Sequence, residues 1–453
     1  MEHTSEANSH LLLLPFPLQG HIVPFMKLAH KLACHGSKVT VLTTEFLHER
    51  IKTVVTGDNK GFVRIVSVPD GLPKEDDRKD EMLVTRSIFT VMPGYLAKFI
   101  NEQENEEKLT CVIADSIFGW ALEIAEKMGL KKAIFFTAAP GALAMILHIP
   151  RLIQAGIIDP NDGTMLKNEK IQISPSLPVF NDTDLIWNIP ENDLMKKSAF
   201  HHMLLVNQNL KVPDWILCNW FEKLEESVSN LLPDLVTIGP LLADEKPTGN
   251  FWSEDLSCLT WLDKQATGSV IYVAFGSAGK FNQNQFNELA LGLELAGQPF
   301  LWVVRSDQID GINIDYPDTF RARTAELGKT VEWAPQEKVL AHPSIACYVT
   351  HCGWNSIMEA INVGVPMLCW PNFTDQFYNR TCVCYGWKIG LELNSDENGI
   401  VTRYEVKKKV DELVSDKGIN ANALKLKELA DESIGEGGSS FKNLEKFVEQ
   451  LKL

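Results

Sequence analysis

The strongest constraint in this chain is a junction. Ala346 to Thr350 (ACYVT) is a short apolar run of strand formers that stops at His351-Cys-Gly-Trp-Asn-Ser356, and a helical pattern follows from Ile357 to about Val363. A strand feeding a glycine-containing turn at a helix start makes an anion site. Unpaired backbone N–H groups and the positive end of the helix dipole converge there. Asn355 and Ser356 suit the cap, and His351 stands at the strand's carboxyl end, where open α/β sheets bind ligands. Glu359 follows Asn355 at i+4, so the helix points both the same way. A carboxylate one turn from a phosphate site suits two ribose hydroxyls. These residues imply a nucleotide diphosphate.

The junction sits in a chain that alternates strand and helix twice over. Strands are expected at His10–Phe16, Val39–Thr43, Phe62–Val68, Thr110–Ala114, Ala133–Phe136, Trp215–Asn219 and Leu235–Ile238. Helical patterns run from about Pro24 to His35, Asp80 to Asn101 and Trp120 to Met128, with Pro24 placed in a first turn, where helices tolerate proline. Asp159 to Lys211 lacks clear periodicity and carries scattered aromatics, as a substrate-covering insertion would. Pro240 to Trp252 reads as a polar linker. The alternation then restarts with a strand at Ser269–Phe275, a helix at Asn282–Ala296 and a strand at Phe300–Val304, and it ends in a run of helices. Such a pattern predicts α/β architecture with two doubly wound, Rossmann-like parallel sheets, and 453 residues is too long for one ordinary core. No Gly-x-Gly-x-x-Gly follows a strand, which weighs against a nicotinamide dinucleotide.

The stretch from Trp333 to Gln376, 44 residues, resembles the plant secondary product glycosyltransferase box of plant family 1 UDP-dependent glycosyltransferases. The matched positions include Trp333-Ala-Pro-Gln336, His351-Cys-Gly-Trp-Asn-Ser356, Glu359, Gly364-Val-Pro366 and Asp375-Gln376. A sparser resemblance covers nearly the whole chain, including Gly20-His21-Ile-Val-Pro24. It implies a GT-B fold with an acceptor-binding domain at 1–239, a linker at 240–252 and a UDP-sugar-binding domain at 253–435. A helix at 436–453 would pack back on the first domain.

The resemblance also implies roles. His21 would be the general base, supported by Asp115. Each follows a strand of the first sheet, and the helix dipole at His21 disfavours imidazolium, so a neutral ring could accept a hydroxyl proton. Trp333 would stack on uracil, with Gln336 and the Ala334 backbone recognising base and ribose, and Glu359 binding the ribose. His351, Gly353, Asn355, Ser356 and Ser277 would hold the diphosphate. Trp354, Asp375, Gln376 and Thr137 would face the sugar. Gln376 together with Trp354 is the family's usual choice for glucose, so UDP-glucose is the expected co-substrate, transferred with inversion. Thr374, beside Asp375, departs from the alanine common there. The acceptor pocket is expected among Phe89, Phe118, Trp120, Met145, His148, Phe180, Trp187 and His202. Such a lining suits a flat phenolic or flavonoid first and a terpenoid second.

Composition excludes other partners. A net charge of −16 argues against nucleic acid and anionic membrane, and no apolar run approaches the ~20 residues of a membrane span. Nine scattered cysteines and a polar start without a basic-then-apolar leader suit a reduced, cytoplasmic protein, expected to be a monomer. No metal or tightly bound cofactor is expected: the spacing of His342, Cys347, His351 and Cys352 is not a standard zinc arrangement. The string Asp182-Thr-Asp184 would suit a metal-dependent transferase, but it lies in the irregular insertion. A UDP-sugar hydrolase or epimerase on the same fold, or a non-catalytic UDP-sugar-binding protein, are the other readings. Turnover without acceptor would mark the first, and binding without turnover the second.

Overall fold

The computed structural model describes residues 9–52, 63–73, 78, 81–103, 108–167, 170–174, 177–189, 192–243, 249–277, 279–306, 308, 316–317 and 319–452. The chain's first eight residues, Phe62 and Asp80 at the starts of two expected elements, the centre of the expected linker (244–248) and parts of the expected insertion lie outside them.

Two parallel sheets form. The first holds β1 (His10–Leu14), β2 (Lys38–Thr44), β3 (Val63–Val68), β4 (Cys111–Asp115), β5 (Lys131–Phe136), β6 (Trp215–Cys218) and β7 (Leu235–Thr237), in the order β3-β2-β1-β4-β5-β6-β7. The second holds β8 (Val270–Ala274), β9 (Phe300–Val303), β10 (Gly328–Val331), β11 (Ile345–Thr350), β12 (Met367–Cys369) and β13 (Gly390–Glu392), in the order β10-β9-β8-β11-β12-β13. β1, β4, β8 and β11 are buried nearly end to end, as strands covered by helices on both faces must be. In each sheet the order reverses once, between β1 and β4 and between β8 and β11. Crossovers leave such a pair in opposite directions, so a crevice opens at their carboxyl ends.

Three local expectations change. Helix α1 spans Gln19–Cys34, so Pro24 is its sixth residue and not part of its first turn. The helix of the Trp333–Gln376 box, called the signature helix below, spans Trp354–Val363 and is capped by Gly353 with no side-chain bond, which puts Asn355 and Ser356 inside the helix rather than at its cap. Within the stretch read as irregular, Asp193–Asn209 is a helix, its first turn capped by the Asn192 side chain accepting from Met195 N at 3.0 Å. Its apolar residues are plentiful but spread around the axis rather than gathered in one stripe, and the cap and tertiary packing decide it. β10, β13 and the helix Pro140–Gln154 went unread, because short or uniformly apolar segments carry no period.

The C-terminal helix, Ser439–Lys452, buries Leu444, Phe447, Val448 and Leu451 in the cluster that holds Leu11, Leu13, Ala133 and Leu217 of the first sheet. Trp215 meets Phe447 edge-on at 5.4 Å and donates its indole N–H to Gln450 Oε1 at 3.0 Å. All nine cysteines are free. Among the described residues, no helix is long and apolar enough to cross a membrane, and no group of three or more His, Cys, Asp or Glu is arranged to hold a metal ion.

Phe447→Ala empties a fully buried aromatic site at the seam where the last helix meets the first sheet. The expected loss is about 3–5 kcal/mol, read as a lowered midpoint in chemical or thermal unfolding.

Candidate functional site

The crevices of the two sheets face one another, and the catalytic and donor-side residues singled out in the sequence lie at or after the carboxyl ends of strands. His21 is the third residue of α1, after β1. Asp115 ends β4, Thr137 follows β5, Ser277 follows β8, Trp333 follows β10, and His351 follows β11.

His21 Nδ1 lies 2.6 Å from Asp115 Oδ2. The carboxylate is wholly buried, while the imidazole keeps about a quarter of its surface open. Asp115 Oδ1 accepts from the backbone N–H of Ile117 at 3.2 Å, so the carboxylate cannot swing away. A carboxylate on Nδ1 places the ring proton there and leaves the lone pair of the neutral ring on Nε2. The Thr137 hydroxyl lies 3.1 Å from the same Nδ1. Phe16 packs edge-on to His21 at 5.5 Å, and from it an aromatic row runs through Phe118 to Phe89 and Trp120.

The signature helix has no acidic residue in its first turn and no side-chain cap, so its first N–H groups stay available to an anion. His351 lies beside them, pressed between two glycines. A Cβ on Gly276 would come 2.6 Å from His351 Nε2, and one on Gly353 only 2.4 Å. Gly276 also has φ +64°, which favours glycine; Gly353 has φ −63°, so there only the ring forbids a side chain. Burial and the nearby Arg305 charge push His351 down to about 4, so it meets an anion as a neutral ring. Arg305 donates to the carbonyls of Gly276 and Gly279, which holds the loop carrying Ser277.

Several donor-side groups already have partners. Gln336 Nε2 donates to Ser356 Oγ and Glu359 Oε2, each at 2.8 Å, while its Oε1 accepts from Tyr272 and Tyr348 at 3.2 and 3.1 Å. Its amide is then fully hydrogen-bonded, leaving the backbone around buried Ala334 for a base. Trp333 stacks on Trp252 at 4.6 Å, so one indole face is covered. Trp354 is buried and donates Nε1–H to the Asn219 carbonyl past β6. Asn355 Nδ2 donates to Gly20 O at 2.7 Å. Gln376 Oε1 takes the N–H groups of Asn372 and Phe373. Asp375 accepts from Asn379 at 2.9 Å; burial lifts its pKa above the usual carboxyl range, against the pull of Asn379, Thr374 and the nearby His21. Thr374 has φ +52°, an uncommon state for a β-branched residue, and its N–H is held by the Asn188 carbonyl at 3.0 Å.

The expected acceptor residues divide. Phe89, Phe118 and Trp120 belong to the row that begins at His21, with Phe118 fully buried and Phe89 and Trp120 partly exposed beside it. Phe180 stacks on Tyr378 at 5.1 Å, and Trp187 packs on Phe200 with its N–H on Gly163 O, both fully buried. Met145 is fully buried, His148 Nδ1 bonds its own helix at Ala144 O, and burial lowers the His202 pKa. Phe16, Lys27, Asn219, Trp252 and Arg305 were missed. Only Lys27 gave a signal, a lone charge in the apolar run Pro24-Phe-Met-Lys-Leu-Ala29.

Residues 201–433 match the family described as UDP-glucoronosyl and UDP-glucosyl transferase. The chain is 38% identical to UDP-glycosyltransferase 83A1 of Arabidopsis thaliana, over 98% of this chain and 97% of that one. It is 33% identical to 7-deoxyloganetin glucosyltransferase of Gardenia jasminoides, over 98% and 97%. Its structure superposes on Phytolacca americana UGT2, solved with UDP-2fluoro-glucose and pterostilbene, with a TM-score of 0.83, 26% identity and coverage of 99% and 100%.

Gly353→Ala tests the clamp on His351 without straining the backbone. The displaced ring should weaken UDP binding by about tenfold or more, the scale of one lost charge-assisted hydrogen bond, while unfolding stays cooperative. Calorimetric titration with UDP reads the change. The same ring predicts acid lability. The unfolded chain protonates residue 351 near pH 6.5 but the folded one only near 4, so stability falls as pH drops through that window. The slope from this group is at most about 1.4 kcal/mol per pH unit, and His351→Gln should lack it.

Proposed function

We propose that this chain, which belongs to the plant family 1 UDP-glycosyltransferases and has their GT-B fold, transfers glucose from UDP-glucose to a hydroxyl of a small hydrophobic metabolite, with inversion at the anomeric carbon. The observation that carries the reading is the 2.6 Å contact between His21 and the buried Asp115, at the switch point of one sheet and facing the helix start of the other.

His21 Nε2 accepts the proton of the acceptor hydroxyl as its oxygen attacks C1 of the sugar. The imidazolium so formed is stabilised by Asp115, which is already seated on Nδ1. UDP departs from the opposite face, so an α-linked donor gives a β-glucoside. Its growing diphosphate charge is met by the first N–H groups of the signature helix, by Ser277 and by neutral His351, donors fixed before reaction begins. Trp333 offers its remaining face to uracil, and Glu359 accepts the ribose hydroxyls. Asp375, close enough to His21 to act on its charge, and Gln376 face the sugar hydroxyls. In this reading residues 1–239 carry the acceptor and 253–435 the donor. The row from Phe16 to Trp120 supports a flat, apolar acceptor, phenolic before terpenoid. The glucosyltransferase name of the Gardenia jasminoides relative supports the glucosyl donor, and pterostilbene beside UDP-2fluoro-glucose in the Phytolacca americana structure supports a phenolic acceptor.

The test is turnover of UDP-glucose, UDP-galactose and UDP-glucuronate, with and without a panel of phenolics and terpenoids, products read by mass. Hexose addition only when UDP-glucose and an acceptor are both present, unchanged by EDTA, is the expected result. UDP release without acceptor would overturn it in favour of a hydrolase. In the same assay His21→Ala should lower kcat by a factor of about 10²–10⁴, and Asp115→Asn by a comparable factor, with UDP affinity within about twofold of the parent in calorimetry.

A further inference from the structure

Lys27 lies in the middle of the apolar face of α1 with only 3% of its side chain exposed. Its ammonium sits 2.7 Å from Glu359 Oε1 and 2.5 Å from Glu337 Oε1, both carboxylates of the other half of the molecule. A buried cation without partners would shed its proton. Burial does oppose the charge here, but the two carboxylates outweigh it and raise the lysine above its ordinary pKa, so the ion cluster persists at neutral pH.

The cluster is one of two rungs between α1 and the signature helix. Gly20 and Lys27 are two turns apart on α1, and Asn355 and Glu359 one turn apart on the signature helix, so each pair shares a face. Asn355 Nδ2 donates to Gly20 O, and Lys27 Nζ donates to Glu359 Oε1, both at 2.7 Å. The first rung depends on Pro24. In a regular helix the carbonyl of Gly20 would take the N–H of residue 24, and proline has none, which leaves that oxygen to the facing helix.

At Glu359 the count of acceptor sites matters. Lys27 occupies one lone-pair direction of Oε1, and Gln336 Nε2 occupies one of Oε2. One direction remains on each oxygen, the pair needed by two vicinal hydroxyls. The Lys27 ammonium holds Oε1 in that orientation, and without it the carboxylate is anchored on the Gln336 side alone. We propose that Lys27 is a positioning residue for donor recognition: it aims Glu359, and through it sets the preference of the site for ribose over 2′-deoxyribose. The proposal rests on the reading of Glu359 as the acceptor of the ribose hydroxyls.

The experiment is calorimetric titration of the full chain with UDP and with 2′-deoxyuridine 5′-diphosphate. The parent should prefer UDP by about tenfold or more, the scale of a hydrogen bond to a charged group. Lys27→Met should cut the preference to about threefold or less, and Lys27→Arg should retain most of it. Lys27→Gln combined with Glu337→Gln removes the cation and one of its two carboxylates, leaving Glu359 alone beside Gln336, so it keeps the test alive if Lys27→Met fails to fold; with no ammonium to aim Glu359, it too should lose the preference. Adding Lys27→Met to Glu359→Gln should cost no further preference. Equal weakening of both nucleotides in the Lys27 variants, with the preference lost only in Glu359→Gln, would overturn the proposal and leave Lys27 a brace between the halves. A preference that survives Glu359→Gln would instead overturn the ribose reading beneath it.

Discussion

The cleft depends on the close approach of α1 to the signature helix. Each helix begins at the carboxyl edge of its own sheet, at the switch point, and the two starts lie within reach of a single side-chain amide. That approach puts His21 opposite the N–H groups of the second half. It also buries an ion pair where, in a solitary domain, there would be an exposed lysine and two exposed glutamates. Buried ion pairs contribute little net stability and strongly penalise separation of the partners. The Lys27 cluster therefore fixes how the two halves meet more than it holds either half together.

An acidic chain that binds an anion must do so locally. The signature helix brings uncapped N–H groups and no carboxylate in its first turn, and His351 beside them stays neutral. Arg305, the nearby cation, is spent on the carbonyls of Gly276 and Gly279. Under the proposed function the diphosphate meets oriented dipoles rather than a mobile cation. Such dipoles need little reorganisation as charge grows on the leaving group, whereas a mobile lysine would have to be ordered first. The same logic explains the two glycines at His351: a ring wedged between backbones cannot rotate out of line.

Much of this was legible in the sequence, for identifiable reasons. Strand ends followed by polar residues announced His21, Asp115, Thr137, Ser277 and His351, because a parallel sheet sends its carboxyl ends to one edge. The helix Gln283–Ala296 was readable from its period and its Asn282 cap. What escaped was decided by contacts between distant segments. The start of α1 has no capping side chain to mark it, so periodicity alone set it several residues late, at Pro24. Asn355 and Ser356 are good caps by type, but glycine fits the tight turn under His351 and took the position. Lys27 was not singled out, because its partners lie more than 300 residues away. Phe180 and Trp187 looked like pocket walls, yet as large aromatics they filled the core of their own segment.

Gln336 shows how a matched motif and a geometry can assign different work to one residue. Its position within Trp333-Ala-Pro-Gln336 suggested contact with base and ribose. In the fold its amide joins two buried tyrosines, Ser356 and Glu359, using both donors and both acceptor directions. In the proposed function a residue so placed serves the nucleotide through what it orients. Breaking one of those bonds to reach the base would strand a tyrosine hydroxyl in a dry site, at a cost of about 1–3 kcal/mol. On the proposed reading, recognition of the ribose is a property of the chain Tyr272–Gln336–Glu359–Lys27, and that chain is complete only while the two halves are in contact.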